Sequence, residues 1–332
     1  LAVGIGYRTN MEGIRQLGKI LEDDVDEIIP VHLPHWTGSS DCLHLMSNVS
    51  PIDENLYVVY SRLLPVEFRE YLLNRKIELI EVPDEEYGSM GCNVLAIAPK
   101  EVLIKNNSIG LNFIDIYHRT GLYPIPLPSG IGLEACGQIE EVGSEVSLFK
   151  VGDRVTHASM PIGAYSEKQV MPEEKLVLVP DGISDEVASC ITLKGITAEY
   201  LLHRAYPLKK GDKVLYHAAA GALGQILCPW ANALGAEVIG TVGSKAKEEV
   251  AKKNGCHHVI NYSEKDFVEE VEKIVGKNSI DVVYDGVGIK TFKGSIETLK
   301  IRGMMVAFGN ASGYVDTLDI KKDINAKGLF FT

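Results

Sequence analysis

The residues most clearly arranged for chemistry are the small ones in KVLYHAAAGALG, residues 213–224. Ala218, Gly221 and Gly224 have AxxGxxG spacing after the apolar run VLY, which predicts a strand, a tight turn and a helix beginning near Gly221. Small residues let the backbone approach a pyrophosphate, whose charge the first helical amides stabilise. A second apolar run, 237–242, follows as in dinucleotide-binding units. The pattern predicts dinucleotide binding; the alternative is a tight turn that holds no ligand.

The residues after that second run decide which dinucleotide is bound. An Asp or Glu there would bond the ribose 2′-hydroxyl and select NAD. This chain has Gly243 and Ser244 instead, followed by Lys245 and Lys247. A hydroxyl and two ammonium groups suit a 2′-phosphate, so the sequence predicts NADPH. The alternative for Lys247 is a solvated charge at the start of a helix.

Composition indicates which classes of partner and which cellular compartment to expect for the chain. It has 332 residues and a net charge of −12, which argues against nucleic acid and anionic membrane surfaces as partners. No apolar run has membrane-spanning length, and no charged n-region with an apolar core and cleavage site follows Leu1, so we expect neither a membrane span nor a secretory leader. The six cysteines lack CxxC spacing. We therefore expect a cytoplasmic protein with free thiols. Residues 1–104 hold 17 Asp/Glu against 8 Lys/Arg, an asymmetry that suggests a domain boundary.

Several local patterns predict individual elements. Residues 11–21 are amphipathic after Asn10 and predict a capped helix, and residues 41–46 and 94–97 predict strands. Short β-branched runs separated by Gly and Pro between 137 and 179 predict a small β-barrel. From residue 196, where a helix is expected to begin, strands and helices alternate, which predicts a doubly wound parallel sheet in an α/β fold.

From Asn112 onward the chain resembles a known family. The stretches GLNFIDIYHRTGLYP, LPSGIGLEACGQIEEVGSEVSLFKVGDRV and GAYSEKQVMPEEKLVLVPDGIS are similar to the zinc-independent, zeta-crystallin type of quinone oxidoreductase in the medium-chain dehydrogenase superfamily. The resemblance implies a GroES-like barrel, a Rossmann sheet and hydride transfer from NADPH to a quinone, enone or similar conjugated carbonyl. It also allows a homodimer through the edge of the Rossmann sheet.

The resemblance also assigns roles to residues. Asn112, Tyr117 and Tyr123 are implied at the nicotinamide face, although both tyrosines could instead simply pack a helix onto the barrel. The residues assigned to the cofactor are Ala218, Gly221, Ala222, Leu223, Gly224, Ser244, Lys247, Tyr262, Val287, Phe308, Gly309 and Asn310. Ala222 stands where the family usually has glycine. Pro229 predicts a kink in the helix that follows, with weaker nucleotide binding.

Metal chemistry is excluded by residue type. Zinc-dependent relatives carry Gly-His-Glu where this chain has Gly132-Leu133-Glu134, and leucine cannot ligate a metal. The cysteine cluster of their structural zinc is missing as well. His157 and His217 lack metal-ligand spacing and are expected at the surface or at strand ends. The sequence therefore predicts no zinc.

The first 104 residues resemble a different family. VGIGYRTNMEG, DCLHLMS and LIEVPDEEYGSMGCNVLAIAPKEV are similar to the second half of dimethylargininases and amidinotransferases, which implies part of an α/β propeller (pentein-like). The resemblance places the family's acid/base histidine at His44 and a substrate-reading arginine at Arg8. Cys92 could be the nucleophile that such hydrolases need, but in the family that cysteine lies further along the chain.

The two resemblances meet at residues 100–105, interpreted as a direct splice of unrelated sequences. The predicted domains are residues 1–104 (amidinotransferase-like), 105–195 (GroES-like) and 196–332 (Rossmann). Because the oxidoreductase resemblance starts late and stops early, we expect an incomplete barrel in which nucleotide binding survives better than turnover. The alternatives to an active oxidoreductase are a catalytically silent fused or truncated product that binds NADPH at most, and a guanidino-group hydrolase.

Overall fold

The structure is a computed structural model that describes residues 1–22, 24–35, 43–88, 91–92 and 98–332. It divides into two compact units. Unit 1 comprises Leu1–Val102 and Val142–Val146, and unit 2 comprises Leu103–Glu141 and Ser147–Thr332. The strand predicted at 94–97 lies outside the described residues, as does the beginning of the one predicted at 41–46. The three domains expected from the sequence stay a prediction.

Unit 1 contains small sheets and short helices. Its elements are β1 (Ala2–Ile5), α1 (Met11–Ile20), β2 (Ile29–His32), β3 (Val49–Asp53), β4 (Leu56–Val59), α2 (Val66–Asn74), β5 (Glu78–Glu81) and α3 (Asp84–Tyr87). Strands β1 and β2 pair in parallel, while β3, β4 and β5 form a second sheet in that order. The propeller expected for this stretch stays a prediction.

Local chemistry explains where the elements of unit 1 begin. Asn10 is the N-cap of α1, as predicted, and its side chain accepts a hydrogen bond of 2.9 Å from the backbone N–H of Gly13. The strand predicted at 41–46 is wrong where the structure describes it. Leu45–Ser47 is a single turn of 3₁₀ helix, whose last amides bond carbonyls three residues back.

Unit 2 holds a five-stranded sheet followed by a six-stranded parallel one. The first part contains β6 (Glu101–Gly110, in unit 2 from Leu103), α4 (Phe113–Thr120), β7 (Glu134–Val142), β8 (Arg154–Ala158), β9 (Lys168–Pro172) and β10 (Val177–Leu178). The strand order in this sheet is β10-β8-β7-β6-β9. The short strands expected between 137 and 179 are therefore present and lie in one sheet.

A helix and a six-stranded sheet complete unit 2. The elements are α5 (Asp185–Glu199), β11 (Lys213–Tyr216), α6 (Gly224–Ala233), β12 (Glu237–Val242), α7 (Lys245–Lys253), β13 (His258–Asn261), α8 (Phe267–Val275), β14 (Ile280–Asp285), α9 (Phe292–Thr298), β15 (Leu299–Ala307) and β16 (Phe330–Phe331). One turn of π-helix, Tyr200–Ala205, continues α5, and another, Ile320–Asn325, precedes β16.

All strand pairs in this second sheet are parallel, in the order β13-β12-β11-β14-β15-β16. The order reverses between β11 and β14, and in sheets of this kind ligands bind beyond the carboxyl ends of the strands at such a reversal. Two separate apolar clusters, one around Tyr216 and Leu227 and one around Ile239 and Phe292, form the cores of the sheet.

Two helix starts differ from expectation. Helix α5 begins at Asp185, well before residue 196, because Ser184 caps it by accepting a hydrogen bond from the backbone N–H of Val187. Helix α6 begins at Gly224 instead of near Gly221, so the turn after β11 is longer than the sequence suggested. Pro229 lies inside α6; the kink expected there stays a prediction.

Candidate active site

The turn between β11 and α6 is shaped by small residues that touch neighbouring backbone. A Cβ on Gly224 would lie 2.4 Å from the carbonyl oxygen of Ala219, so a side chain there would displace the turn. Gly240 of β12 is equally restricted, because its Cβ would lie 2.6 Å from that of Ala219. The glycine spacing recognised in the sequence is thus needed for the close packing of the turn against β12 and α6.

The same turn presents unpaired donors. Ala218 adopts a left-handed conformation with φ of 61°, and its carbonyl accepts from the N–H of Gly221 at 2.8 Å. In the part of the chain that the structure describes, the backbone N–H groups of Ala222 and Leu223 donate to no protein acceptor. These amides come just before α6, where the helix dipole favours an anion, so the turn can bind a phosphate.

A cavity of about 390 Å³ adjoins this turn. Besides the turn, four regions far apart in the sequence line it: the start of α4, the second half of α5, the residues after β14 and the residues after β15. Of the residues predicted for the site, the lining contains Asn112, Tyr117, Tyr123, Ala218, Gly221, Ala222, Leu223, Val287, Phe308 and Gly309. The structure therefore brings most of the predicted nicotinamide and pyrophosphate residues to one cavity, while their roles stay predictions.

Two tyrosines, Tyr117 on α4 and Tyr123 shortly after it, form hydrogen bonds with the segment after β15. The Tyr117 hydroxyl oxygen accepts the backbone N–H of Asn310 at 3.0 Å, and the Asn310 side-chain amide donates to the Tyr123 hydroxyl at 3.2 Å. The two tyrosine rings meet edge to face with centroids 5.1 Å apart. Burial raises the pKa of Tyr117, so the phenol stays protonated at neutral pH. Both tyrosines therefore contact the segment after β15 of the parallel sheet. Packing a helix onto the barrel, the alternative considered from the sequence, does not account for these contacts.

Lys194 and Asn112 line the cavity and contact the buried carboxylate of Glu134 behind its wall. The Lys194 ammonium lies 2.8 Å from Glu134 Oε2 and 2.7 Å from Asn112 Oδ1, and Asn112 Nδ2 also donates to Glu134 Oε2 at 2.8 Å. Glu134 is fully buried. The Glu134 side chain can lie this close to the backbone of β6 only because residue 110 is glycine: a Cβ there would lie 2.4 Å from Glu134 Oε2. Sequence reasoning missed Lys194 and Glu134 as a pair; the one available signal was a lone lysine in the apolar segment ITLKGIT.

The residues predicted for the adenosine end lie beyond β12. Ser244 is the N-cap of α7, and its hydroxyl makes no capping hydrogen bond. Lys247, in the first turn of α7, is exposed. Tyr262 is 48% exposed and lies against Gly243, where a Cβ would approach its hydroxyl to 2.7 Å. Among the described residues, the Ser244 hydroxyl and the Lys247 ammonium have no hydrogen-bond partner, and both follow β12, where the sequence lacks a carboxylate.

A buried polar network underlies the strand ends. His217 bonds Thr241 Oγ1 through Nδ1 and Ser295 Oγ through Nε2, both at 2.9 Å, and Ser295 donates to Asp285. Asp285 also accepts the backbone N–H of Val287 at 2.8 Å. Burial lowers the pKa of His217, which is therefore neutral at pH 7. The network links the ends of β11, β12 and β14, and residues that line the cavity follow β11 and β14.

The histidines differ from expectation in their exposure. His157 and His217 do lie at or near strand ends, but both are about 1% exposed, so the surface interpretation is wrong for them. Leu133, at the position where zinc-dependent relatives have histidine, is also buried. Across the described ranges, no three His, Cys, Asp or Glu side chains are grouped so that they could hold a metal ion.

Unit 1 contains the residues predicted for hydrolase chemistry. Arg8 Nη1 lies 3.3 Å from His44 Nε2, and both side chains are exposed. Cys92 is fully buried beside Tyr60 and Leu63, and burial raises the pKa of its thiol to about 11. A thiol that is protonated and inaccessible at neutral pH is a poor nucleophile. The role of His44 as a hydrolase remnant stays a prediction.

Comparisons with known proteins agree with the architecture of unit 2. The family model for the alcohol dehydrogenase GroES-like domain matches residues 98–206, and the one for zinc-binding dehydrogenases matches residues 222–331. The quinone oxidoreductase of Pseudomonas aeruginosa is 49% identical over 223 residues, which are 67% of this chain and 69% of that protein. A 2-haloacrylate reductase of Burkholderia sp is 47% identical over 240 residues, 70% of this chain and 72% of that protein.

A solved structure is also similar to this chain. The crystal structure of Escherichia coli quinone oxidoreductase complexed with NADPH is 46% identical, with a TM-score of 0.70 over 72% of this chain and 74% of that chain. Because the matches reach about 70% of these relatives, they do not support the expectation that truncation impairs turnover more than nucleotide binding. The amidinotransferase resemblance and the fusion stay predictions.

The described helices can be compared with membrane-spanning helices in length and hydropathy. In the described ranges, no helix combines the length and apolar character that crossing a bilayer requires. The cytoplasmic location and the homodimer stay predictions. From the two matched domains and the relatives of known structure, the chain belongs to the quinone oxidoreductase family of the medium-chain dehydrogenases, with an α/β fold built from GroES-like and Rossmann-like domains.

Proposed function

We propose that this protein is an NADPH-dependent oxidoreductase that transfers a hydride to quinones or similar conjugated carbonyls. The observation that carries the proposal is the cavity of about 390 Å³, in which the phosphate-binding turn and the aromatic residues of α4 lie against the residues that follow β14 and β15. A dinucleotide extended across the carboxyl ends of β11 and β12 would have its pyrophosphate at the turn and its nicotinamide in this cavity.

The residues present fit this cofactor. The free amides of Ala222 and Leu223 suit the pyrophosphate, and Ser244 with Lys247 suits a 2′-phosphate. Val287 and Phe308 would flank the nicotinamide, which supplies the hydride when the cofactor is bound.

The cavity wall is largely apolar, so it can exclude water and favour flat conjugated acceptors. The protein's part is then to hold donor and acceptor face to face and to stabilise the charge that develops on the acceptor. One relative is named 2-haloacrylate reductase, and a haloacrylate contains a conjugated C=C bond. We therefore propose conjugated acceptors in general, and not quinones alone, as the substrate class.

The proposal is tested with two measurements on the full chain. NADPH fluorescence on titration with protein reports binding, and the loss of NADPH absorbance with a benzoquinone reports turnover. We expect both signals, and we expect turnover with NADH to be much slower. Binding without oxidation of NADPH by any quinone or enone would instead indicate the silent product, and release of citrulline from a methylated arginine would indicate the hydrolase.

A further inference from the structure

The ion pair in the cavity wall is held by an unusually complete set of hydrogen bonds. Glu134 Oε1 accepts the backbone N–H of Leu193 at 2.7 Å, while Oε2 accepts both Asn112 Nδ2 and Lys194 Nζ at 2.8 Å. Asn112 Nδ2 also reaches the carbonyl of Gly110 at 3.3 Å. Every side-chain polar atom of Glu134 and Asn112 is therefore engaged, and the two side chains fix the position of the lysine.

Lys194 is the member of this group with a donor to spare. An ammonium carries three N–H donors, and two of them serve Glu134 Oε2 and Asn112 Oδ1. Within the described chain the third has no acceptor. The Lys194 side chain is 12% exposed and belongs to the lining of the cavity. Among the described residues that line the cavity, it is the one whose side chain carries a formal charge, since burial keeps His217 neutral.

We propose that Lys194 is a catalytic residue whose ammonium binds the acceptor oxygen that gains negative charge during hydride transfer, with Glu134 and Asn112 as positioning residues. This inference rests on the proposed function. The hydride brings an electron pair and forms a C–H bond on the acceptor; the conjugated π bond breaks and its pair moves to oxygen. NADPH is oxidised to NADP⁺, the acceptor is reduced, and its oxygen then takes a proton from water.

The site has the properties that such stabilisation requires. A donor that is fixed before the reaction and shielded from water stabilises a developing oxyanion more than a solvated one does. The pairing with Glu134 holds Lys194 in one position without using its third donor. The rest of the cavity wall is largely apolar, with residues such as Leu193 and Val287, and besides Lys194 it offers the hydroxyls of Tyr117 and Tyr123 as side-chain donors, which carry no charge.

The main test removes the charge. Lys194→Met keeps the unbranched stem of the side chain, one atom shorter, but leaves the Glu134 carboxylate buried without its cation. The double variant Lys194→Met/Glu134→Gln removes both charges, so its rate is free of the penalty for an unpaired buried carboxylate. We expect either variant to lower kcat with a benzoquinone by about 10²–10³-fold, the usual loss for one oxyanion donor. NADPH affinity measured by fluorescence should stay within about twofold, because the lysine faces the acceptor.

A substituent series separates catalysis from structure. In a set of benzoquinones of increasing electron demand, loss of the ammonium should make log kcat depend more steeply on the substituent, since more charge is left uncompensated. Lys194→Arg, which keeps the charge, should retain the wild-type dependence. The control is Lys168→Met, which removes another lysine paired with a glutamate (Glu140) but exposed on β9; it should leave the rate unchanged.

Two results would overturn the inference while leaving the proposed function intact: unchanged kcat in the double variant, or a lower kcat with the same substituent dependence as wild type. Failure of the proposed function is different. It would show as wild-type protein that oxidises NADPH with none of the quinones, whatever residue stands at position 194.

Discussion

Replacing Lys247 by alanine tests the choice of cofactor directly. Lys247 lies in the first turn of α7 beside Ser244, and its ammonium is exposed. Two unit charges 4 Å apart attract by about 1 kcal/mol in water and about 4 kcal/mol at a partly shielded surface. Because this side chain is exposed, the lower part of that range applies. We therefore expect the Kd for NADPH to rise about tenfold and the Kd for NADH, which lacks the 2′-phosphate, to change less than about twofold.

Fluorescence titrations of both cofactors at low and high salt provide the assay. The NADPH preference of the wild type should shrink as salt is added, because dissolved ions weaken the attraction between exposed charges. The Debye length, over which this attraction decays, is about 10 Å at 0.1 M salt and shorter at higher salt. The matched control is Lys252→Ala, in the last turn of the same helix, where the lysine pairs with Glu249 at 3.1 Å. Equal losses for NADPH and NADH in Lys247→Ala, or the same NADPH loss in Lys252→Ala, would refute the reasoning.

Three further predictions concern buried groups. Burial lowers the pKa of His157 to about 4, so the unfolded chain binds more protons between about pH 4 and 6.5; stability should fall by about 3 kcal/mol as the pH drops through that window. Urea unfolding at pH 7 and 5 should show about 2 kcal/mol of this loss in wild type, because pH 5 lies inside the window, and no such loss in His157→Leu. Tyr117→Phe leaves the backbone N–H of Asn310 without its acceptor and should cost about 1–3 kcal/mol of stability, read as a lower urea midpoint at unchanged slope. Iodoacetamide at neutral pH should label the exposed Cys190 and spare Cys92, whose thiol pKa is about 11; rapid labelling of Cys92 in native protein, located by mass spectrometry, would contradict its burial.

Some features of the fold were predictable because they depend on neighbours in sequence. Asn10 caps α1 through an amide three residues away, and the apolar runs at 213–216 and 237–242 became adjacent parallel strands. The predicted start of α5 at residue 196 is wrong because it overlooks the capping residue Ser184, which follows the Pro- and Gly-containing turn 180–182. The strand predicted at 41–46 failed because a short apolar run alone does not distinguish extended from 3₁₀ backbone.

The sequence by itself determined the small-residue turn, the lack of a carboxylate after β12 and the leucine at position 133, since each depends only on residue type and local spacing. The tertiary structure alone decided which side chains face one another across the cavity. Tyr117 meets Asn310 from 193 residues away, and Lys194 meets Glu134 from 60 residues away. No local pattern encodes such pairs, because burial and long-range packing bring them together, and burial also decides that Cys92 is inert while a cavity-facing lysine keeps a free donor.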